Sequence, residues 1–386
     1  MEEWKSYKLG DISTIQTGPF GSQLHQSDYV ESGVPCIMPT NIGRMLDFQV
    51  AGIAHISEGD ALKLSRHIVH EGDIVYSRRG DIEKCAYVSQ EQDGWFCGTG
   101  CLKITINSNL AVPKFVAYYL STDEIKSWIV GNAVGTTMLN LNTSVLADVP
   151  LSLPSIQMQK RCVQILDSIE NKIALNNRIN HNLEEQAQAL YKSWFVDFEP
   201  FKDSKYVDSE LGMVPEGWHV GVIGDIATIT SGKRPNMKYE TSSANHSVPV
   251  IGASSVMAYT DSVYLSEHAI ITGRVGTLGI IQRINEPCWP SDNTLIIKSK
   301  FQNFLYQVLN DVDYSSLNRG STQPLLTQSD LKSWRIIIPP IELITEFESA
   351  IKDKIRLIAD LNRQNRKLSL LREILLPQLM LGSLTC

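Results

Sequence analysis

Residues 153–198 read LPSIQMQKRCVQILDSIENKIALNNRINHNLEEQAQALYKSWFVDF. Apolar residues recur every three or four positions through Cys162, Leu166, Ile169, Ile173, Leu183, Ala187, Leu190 and Trp194. That spacing is one face of a helix, not the alternation of a strand. Pro154 and Ser155 suit its start and Pro200 its stop. Some 40 residues at 1.5 Å each predict a rod of roughly 60 Å, which must bury its seam against a partner.

The same chain supplies one. Residues 338–382, IPPIELITEFESAIKDKIRLIADLNRQNRKLSLLREILLPQLMLG, repeat the pattern 185 positions later. Pro154 answers to Pro339, Leu166 to Ile351, Ile173 to Ile358, Leu183 to Leu368, Leu190 to Leu375 and Trp194 to Leu379. The expected pairing positions are Ile169, Ile173, Asn180, Leu183 and Leu190 on one helix, and Ile351, Ile358, Asn365, Leu368 and Leu375 on the other. Asn180 answers to Asn365; a seam Asn costs stability but fixes register, and the competing reading leaves both in water beside the seam.

The helices belong to a larger duplication. Trp4 to Gly18 (WKSYKLGDISTIQTG) matches Trp218 to Gly232 (WHVGVIGDIATITSG) at an offset of 214, as Val34-Pro35 matches Val248-Pro249. The stretch ending Ser77-Arg78-Arg79-Gly80 matches the one ending Gly273-Arg274-Val275-Gly276, and Gly135-Thr136-Thr137 matches Gly320-Ser321-Thr322. Two globular units, each followed by a long helix, make a repeat too large for a solenoid. Short strands are expected at 37–38, 74–76, 86–88, 102–106, 270–271, 279–281 and 294–297. Helices are expected over 115–128 and 304–312, with residues 201–217 a polar linker.

The chain has 386 residues, 43% hydrophobic and 20% charged, the composition of a folded protein of two or three domains. No apolar run reaches the ~18 residues of a membrane span, and the acidic start MEEWKSYKLGD is no secretory signal. Seven cysteines without framework spacing predict reduced, buried thiols and a cytoplasmic location; Cys97 and Cys101 lack the companions of a zinc site. The net charge of −7 weighs against nucleic-acid binding unless a local face or a basic partner supplies the contact.

No catalytic constellation appears. Ser231-Gly232-Lys233-Arg234 imitates a phosphate loop but has Ala227 where the first Gly belongs and Arg234 for Ser/Thr. Glu124-Ile-Lys126 has nuclease spacing without an upstream Asp. What remains suits a duplex. The turn Gly18-Pro19-Phe20-Gly21-Ser22-Gln23 offers backbone N–H groups to phosphate. Arg78, Arg79, Lys233, Arg234 and Arg274 place cations on turns, where Arg can pair with guanine. Asn41, Asn140, Asn142, Asn293 and Gln323 could read adenine, with Thr322 beside the last.

On these residues the chain resembles the specificity subunit of type I restriction-modification systems along essentially its whole length. The resemblance lies in the Leu/Ile-Pro-x-Ile start of each helix, Leu190-Tyr-Lys-Ser-Trp-Phe-Val-Asp-Phe-Glu-Pro200, Leu211-Gly-Met-Val-Pro-Glu-Gly-Trp218, and the openings Lys8-Leu-Gly-Asp11 and Val222-Ile-Gly-Asp225. The family's Leu-Pro-Pro-x-x-x-Glu-Gln start is altered, with Ser155 and Gln159-Lys160 in one copy and Ile344-Thr345 in the other. The resemblance implies an α+β fold: two mixed α/β target recognition domains (1–153 and 218–338) and two long spacer helices (154–200 and 339–386) packed as an antiparallel, pseudo-twofold coiled coil. It implies a non-catalytic subunit reading a bipartite asymmetric target in double-stranded DNA. Two methyltransferase subunits would dock on it and restriction/translocase subunits join them. S-adenosylmethionine, ATP and Mg are then expected on those partners and no cofactor on this chain. The competing reading is a coiled-coil scaffold that does not touch DNA, suggested by the charge and the apolar seams.

Overall fold

The computed structural model describes residues 4–43, 45–133, 139–243, 245–320 and 322–384; Gly135-Thr136-Thr137 and Ser321 lie outside the described residues. The chain divides into two compact units, residues 1–174 with 365–386, and residues 175–364.

In the first unit the strands are β1 (Lys5–Lys8), β2 (Ser13–Thr17), β3 (Tyr29–Val30), β4 (Val34–Ile37), β5 (Ala54–Ile56), β6 (Ile74–Ser77), β7 (Cys85–Tyr87), β8 (Phe96–Cys97), β9 (Cys101–Ile106) and β10 (Pro150–Leu153). The helices are α1 (Leu9–Ile12), α2 (Glu58–Lys63), α3 (Pro113–Leu120), α4 (Asp123–Asn132), α5 (Thr143–Ala147) and the start of α6 (Ile156–Tyr191). One sheet has the order β2-β9-β6-β7, a second β3-β5-β4-β8, and β1 pairs with β10. Leu102, Ile104, Ile74 and Tyr76 are fully buried, and Phe115 of α3 and Leu166 of α6 join their cluster.

The second unit repeats the plan, with β11 (Tyr206–Ser209), β12 (Gly212–Pro215), β13 (His219–Val222), β14 (Thr228–Ser231), β15 (Val248–Ile251), β16 (Val256–Thr260), β17 (Ala269–Gly273), β18 (Ile281–Ile284), β19 (Trp289–Pro290), β20 (Thr294–Lys298) and β21 (Arg335–Ile338). Its helices are the rest of α6, α7 (Ile223–Ile226), α8 (Gln302–Asn310), α9 (Gln328–Lys332) and most of α10 (Ile341–Met380). The order β14-β20-β17-β18 reproduces β2-β9-β6-β7, and β13–β21 reproduces β1–β10. Even the parallel pair recurs, β4 with β8 and β15 with β19. The duplication read from sequence is therefore a duplication of fold.

In both units α6 and α10 pair antiparallel. In the first, Arg372 Nη1 meets Glu170 Oε1 at 3.1 Å. In the second, Asn176 Nδ2 donates to Gln364 Oε1 at 2.8 Å, Asn180 Nδ2 to Asn362 Oδ1 at 2.8 Å, and the Trp194 and Phe347 ring centres lie 6.2 Å apart. Ile169, Ile351 and Ile358 are buried. Ile173, Asn180, Leu183, Leu190, Asn365, Leu368 and Leu375 are half-buried. Asn176, one turn from the expected Asn180, is fully buried in the seam, and the sequence reading missed it. It also missed that the seam admits a charge, Arg372.

Three expectations are corrected. The single helix over 115–128 is two, because the Ser121 and Thr122 hydroxyls bond back to the Tyr118 and Tyr119 carbonyls (2.7 and 2.8 Å) and compete with helix continuation. The strand expected at 279–281 begins only at Ile281, after Gly279 at φ +80°. The linker at 201–217 contains the hairpin β11–β12, whose Val214 packs into the second core. The six described cysteines are buried and form no disulfide among the described residues.

Candidate nucleic-acid interface

Strand direction gathers the candidates at one end of each large sheet. In the first unit Thr17 faces Leu102 and Ser77 faces Cys101, so β2 and β6 end where β9 begins. Backbone bonds tie the loops there: Gly18 N–H to Cys101 O at 2.9 Å, Arg78 N–H to Gly100 O at 2.8 Å, and Leu141 N–H to Arg78 O at 2.9 Å. The second unit repeats the set: Gly232 N–H to Thr294 O at 3.0 Å, Arg274 N–H to Asn293 O at 2.8 Å, and Leu326 N–H to Arg274 O at 2.8 Å. Arg78 and Arg274 thus hold equivalent places, although their side-chain neighbours differ.

At the first edge the half-buried Arg78 lays its guanidinium 5.4 Å from the centre of the Phe20 ring. Phe20 itself is 52% exposed. Burial first, and then the neighbouring Arg79, push the Arg78 pKa below its usual value. Its Nε is buried without a hydrogen-bond partner among the described residues, as is Asn140 Oδ1 on the adjoining loop. Arg79, Gly21, Ser22 and Gln23 are exposed. Gln23 Oε1 accepts from Arg66 Nη2 at 3.4 Å, adding a cation the sequence reading missed. Arg66 Nε in turn donates to His67 Nε2 at 3.1 Å, and burial, then the charges of Arg66 and Lys103, hold His67 neutral with its pKa lowered to about 4.

Three candidates of this unit are corrected. Gly18 is no phosphate cradle: its N–H is spent on Cys101, and a β-carbon there would collide with the Gly98 carbonyl. Gly232 is held the same way against Ser291. Asn41 is buried, its Oδ1 accepting the Met38 N–H at 2.9 Å and its Nδ2 donating to Gln49 O at 3.0 Å, so it braces a loop and cannot reach a base. Asn142 caps α5, accepting the Val145 N–H at 2.8 Å.

At the second edge Lys233 and Arg234 are exposed, and Lys233 Nζ lies 5.4 Å from the Tyr264 ring centre. The Trp289 indole N–H donates to the Lys233 carbonyl at 2.7 Å, and the Tyr264 and Trp289 rings are 5.4 Å apart. No sequence signal flagged either aromatic, since Tyr264 reaches the site from the β16–β17 connection and Trp289 from β19, both distant in sequence. Arg274 is half-buried; Asn293, Thr322 and Gln323 are exposed around it. The Thr322–Gln323 loop is braced by Asn318 Oδ1, which accepts from Gly320 N–H at 2.9 Å and Leu325 N–H at 3.0 Å. In the first unit, Glu124 and Lys126 lie on α4.

Cations beside aromatic faces, braced at one edge of each of two like units, define a binding protein suited to nucleic acid. The family model described as "Type I restriction modification DNA specificity domain" matches residues 1–185 and 215–364. The chain belongs to that family, and DNA sequence recognition is the activity that membership carries. The type I restriction enzyme MjaIX specificity subunit of Methanocaldococcus jannaschii is 26% identical, over 99% of this chain and 94% of its own. The HindI specificity subunit of Haemophilus influenzae is 22% identical over the full length of both. In structure, the type I restriction-modification S subunit from M. genitalium superposes with a TM-score of 0.61 at 14% identity, covering 98% of this chain and 96% of its own. No described helix is long and apolar enough to cross a membrane.

Proposed function

We propose that the chain is the DNA-reading and assembly subunit of a type I restriction-modification complex, each unit reading one half of a split target. Arg78, steadied on Phe20, reads one half-site, and Arg274 with Gln323 and Thr322 the other. The paired helices set the gap between halves and dock two methyltransferase subunits; restriction/translocase subunits join through them in the cytoplasm. Methyl transfer and cleavage belong to those partners, which carry S-adenosylmethionine, ATP and Mg. Arg79, Lys233 and Arg234 are the phosphate contacts, and partner cations supplement them against the net charge of −7.

The observation that carries this reading is the equivalence of Arg78 and Arg274, each hydrogen-bonded through its backbone N–H to the loop before β9 or β20 at 2.8 Å, with unlike side chains around it. One edge used twice with different furniture suits two half-sites of different sequence. Methylome sequencing of a host carrying the chain with its methyltransferase tests it. Arg78→Ala is expected to relax one half-site and Arg274→Ala the other, at roughly 1–3 kcal/mol each. Loss spread evenly over all sequences would make both residues phosphate contacts instead.

A further inference from the structure

The two units differ sharply at one niche beside their long helices. In the first, Lys114 Nζ lies 2.8 Å from Asp167 Oδ1, and the Tyr118 hydroxyl donates to the same oxygen at 2.8 Å. Lys114 precedes the buried Phe115 on α3, and Asp167 faces it from α6, so the niche is neutralised from within. The fold repeat carries these two positions to Asn303, which precedes the buried Phe304 on α8, and to Lys352 on α10. The acid has become a base and the base an amide.

Among the described residues, no carboxylate of the second unit takes the vacant role. Glu348, one turn before Lys352, spends its oxygens on α8, accepting from Asn303 N–H (2.8 Å), Phe304 N–H (2.9 Å) and Asn303 Nδ2 (2.7 Å). Asp360 and Glu286 face Arg363, at 3.0 and 3.6 Å. Glu184 holds Arg283 at 2.7 Å, and that guanidinium lies 3.6 Å from the Tyr306 ring centre. Lys352 and Arg356 remain exposed, with no ion pair among the described residues. They line a cavity of about 600 Å³ together with His268, Asn285 and Asn303.

The cavity lies at the start of β17 and the end of β18, whereas Gly273 and Arg274 stand at the other end of β17. Four strand steps of ~3.4 Å separate the two ends. The occupant is therefore not the duplex read at the far edge. We propose that this niche receives a carboxylate from an acidic segment of a protein partner, which docks on Lys352 and Arg356 as Asp167 docks internally on Lys114. A guanidinium and an ammonium one helical turn apart suit a Glu- or Asp-rich strand, Arg gripping it in bidentate fashion. On a chain this acidic, such a segment is repelled elsewhere, which adds specificity. The inference rests on the proposed DNA reading only for the direction in which the duplex lies.

The test uses the full chain and a fluorescein-labelled (Glu-Gly)₅ peptide in fluorescence anisotropy at low salt. Saturable binding is expected, weakened at least tenfold by Lys352→Glu with Arg356→Glu, retained in Arg274→Ala, and not displaced by inorganic phosphate at matched ionic strength. The same double variant should bind duplex DNA as the parent chain does. Equal peptide binding by variant and parent, no peptide binding by either, or displacement by phosphate would each overturn the proposal. A loss of duplex binding in the double variant would do the same and mark a DNA contact. If that variant fails to fold by circular dichroism, Lys352→Gln with Arg356→Gln replaces it under the same criteria. Failure of DNA reading would look different: peptide binding intact, duplex binding absent from the parent.

Discussion

Replacing Arg372 by Met should destabilise the first unit in a way that depends on pH. Arg372 retains 12% side-chain exposure and Glu170 26%, with 3.1 Å between them. Burial is the main force pushing the Glu170 carboxyl above its usual range; Arg372 opposes it, and Asp167 and Asp47 add to it. Removing one member of a buried pair costs about 3–5 kcal/mol. Because Glu170 keeps a quarter of its exposure, about 2–3 kcal/mol is expected at pH 8. With a urea slope near 3 kcal/mol per molar, the midpoint should fall by roughly 1 M. For an acid whose folded pKa is raised, the native state binds the proton more tightly. Its stabilising contribution is present below the unfolded value and is lost as pH rises through the folded one. The deficit of Arg372→Met should therefore shrink on acidification, as the Glu170 carboxyl takes up its proton. Glu170→Gln should cost under about 1 kcal/mol, since Arg372 keeps Glu373 at 3.8 Å and no carboxylate is desolvated. Urea unfolding across pH 4–8 measures all three. A deficit below about 0.5 kcal/mol at pH 8, or one undiminished at pH 4, refutes the account.

Inserting four residues into both long helices adds about 6 Å of helix to each and should lengthen the spacer of the methylated motif; an unchanged spacer in methylome sequencing would remove the helices from the role of ruler. Phe20→Ala should weaken one half-site two- to fivefold, the loss of an exposed cation–π contact of about 0.5–1 kcal/mol, while Phe20→Tyr restores it. Competition binding with half-site variants reads this out, and indifference to both substitutions sinks the aromatic shelf. Gly18→Ala should lower stability by about 1–3 kcal/mol through collision with the Gly98 carbonyl. If it weakens DNA binding at unchanged melting temperature, Gly18 is a phosphate contact after all.

The duplication and the helices were legible because they rest on local periodicity. Seam spacing at three and four, and matched glycines such as Gly18 and Gly232, can be read directly along the chain. The reading edge was half legible. Arg78 and Arg274 sit at matched sequence positions and fall together in the fold. Asn41 and Asn142 were misread because an Asn that caps or braces and an Asn that reads a base look alike until their partners are known. Tyr264 and Trp289 were invisible because only strand pairing and loop return bring them to Lys233.

The amino-acid order alone determined two like units, two long amphipathic helices and the turns bearing the arginines, since each follows from spacing along the chain. Tertiary structure decided which polar groups remained available. Asn176 rather than Asn180 is buried in the seam, Arg372 finds its carboxylate across it, and Lys352 stands without the acid that serves Lys114 in the other copy. Burial and pairing are set by residues far apart in sequence, so no local pattern encodes them.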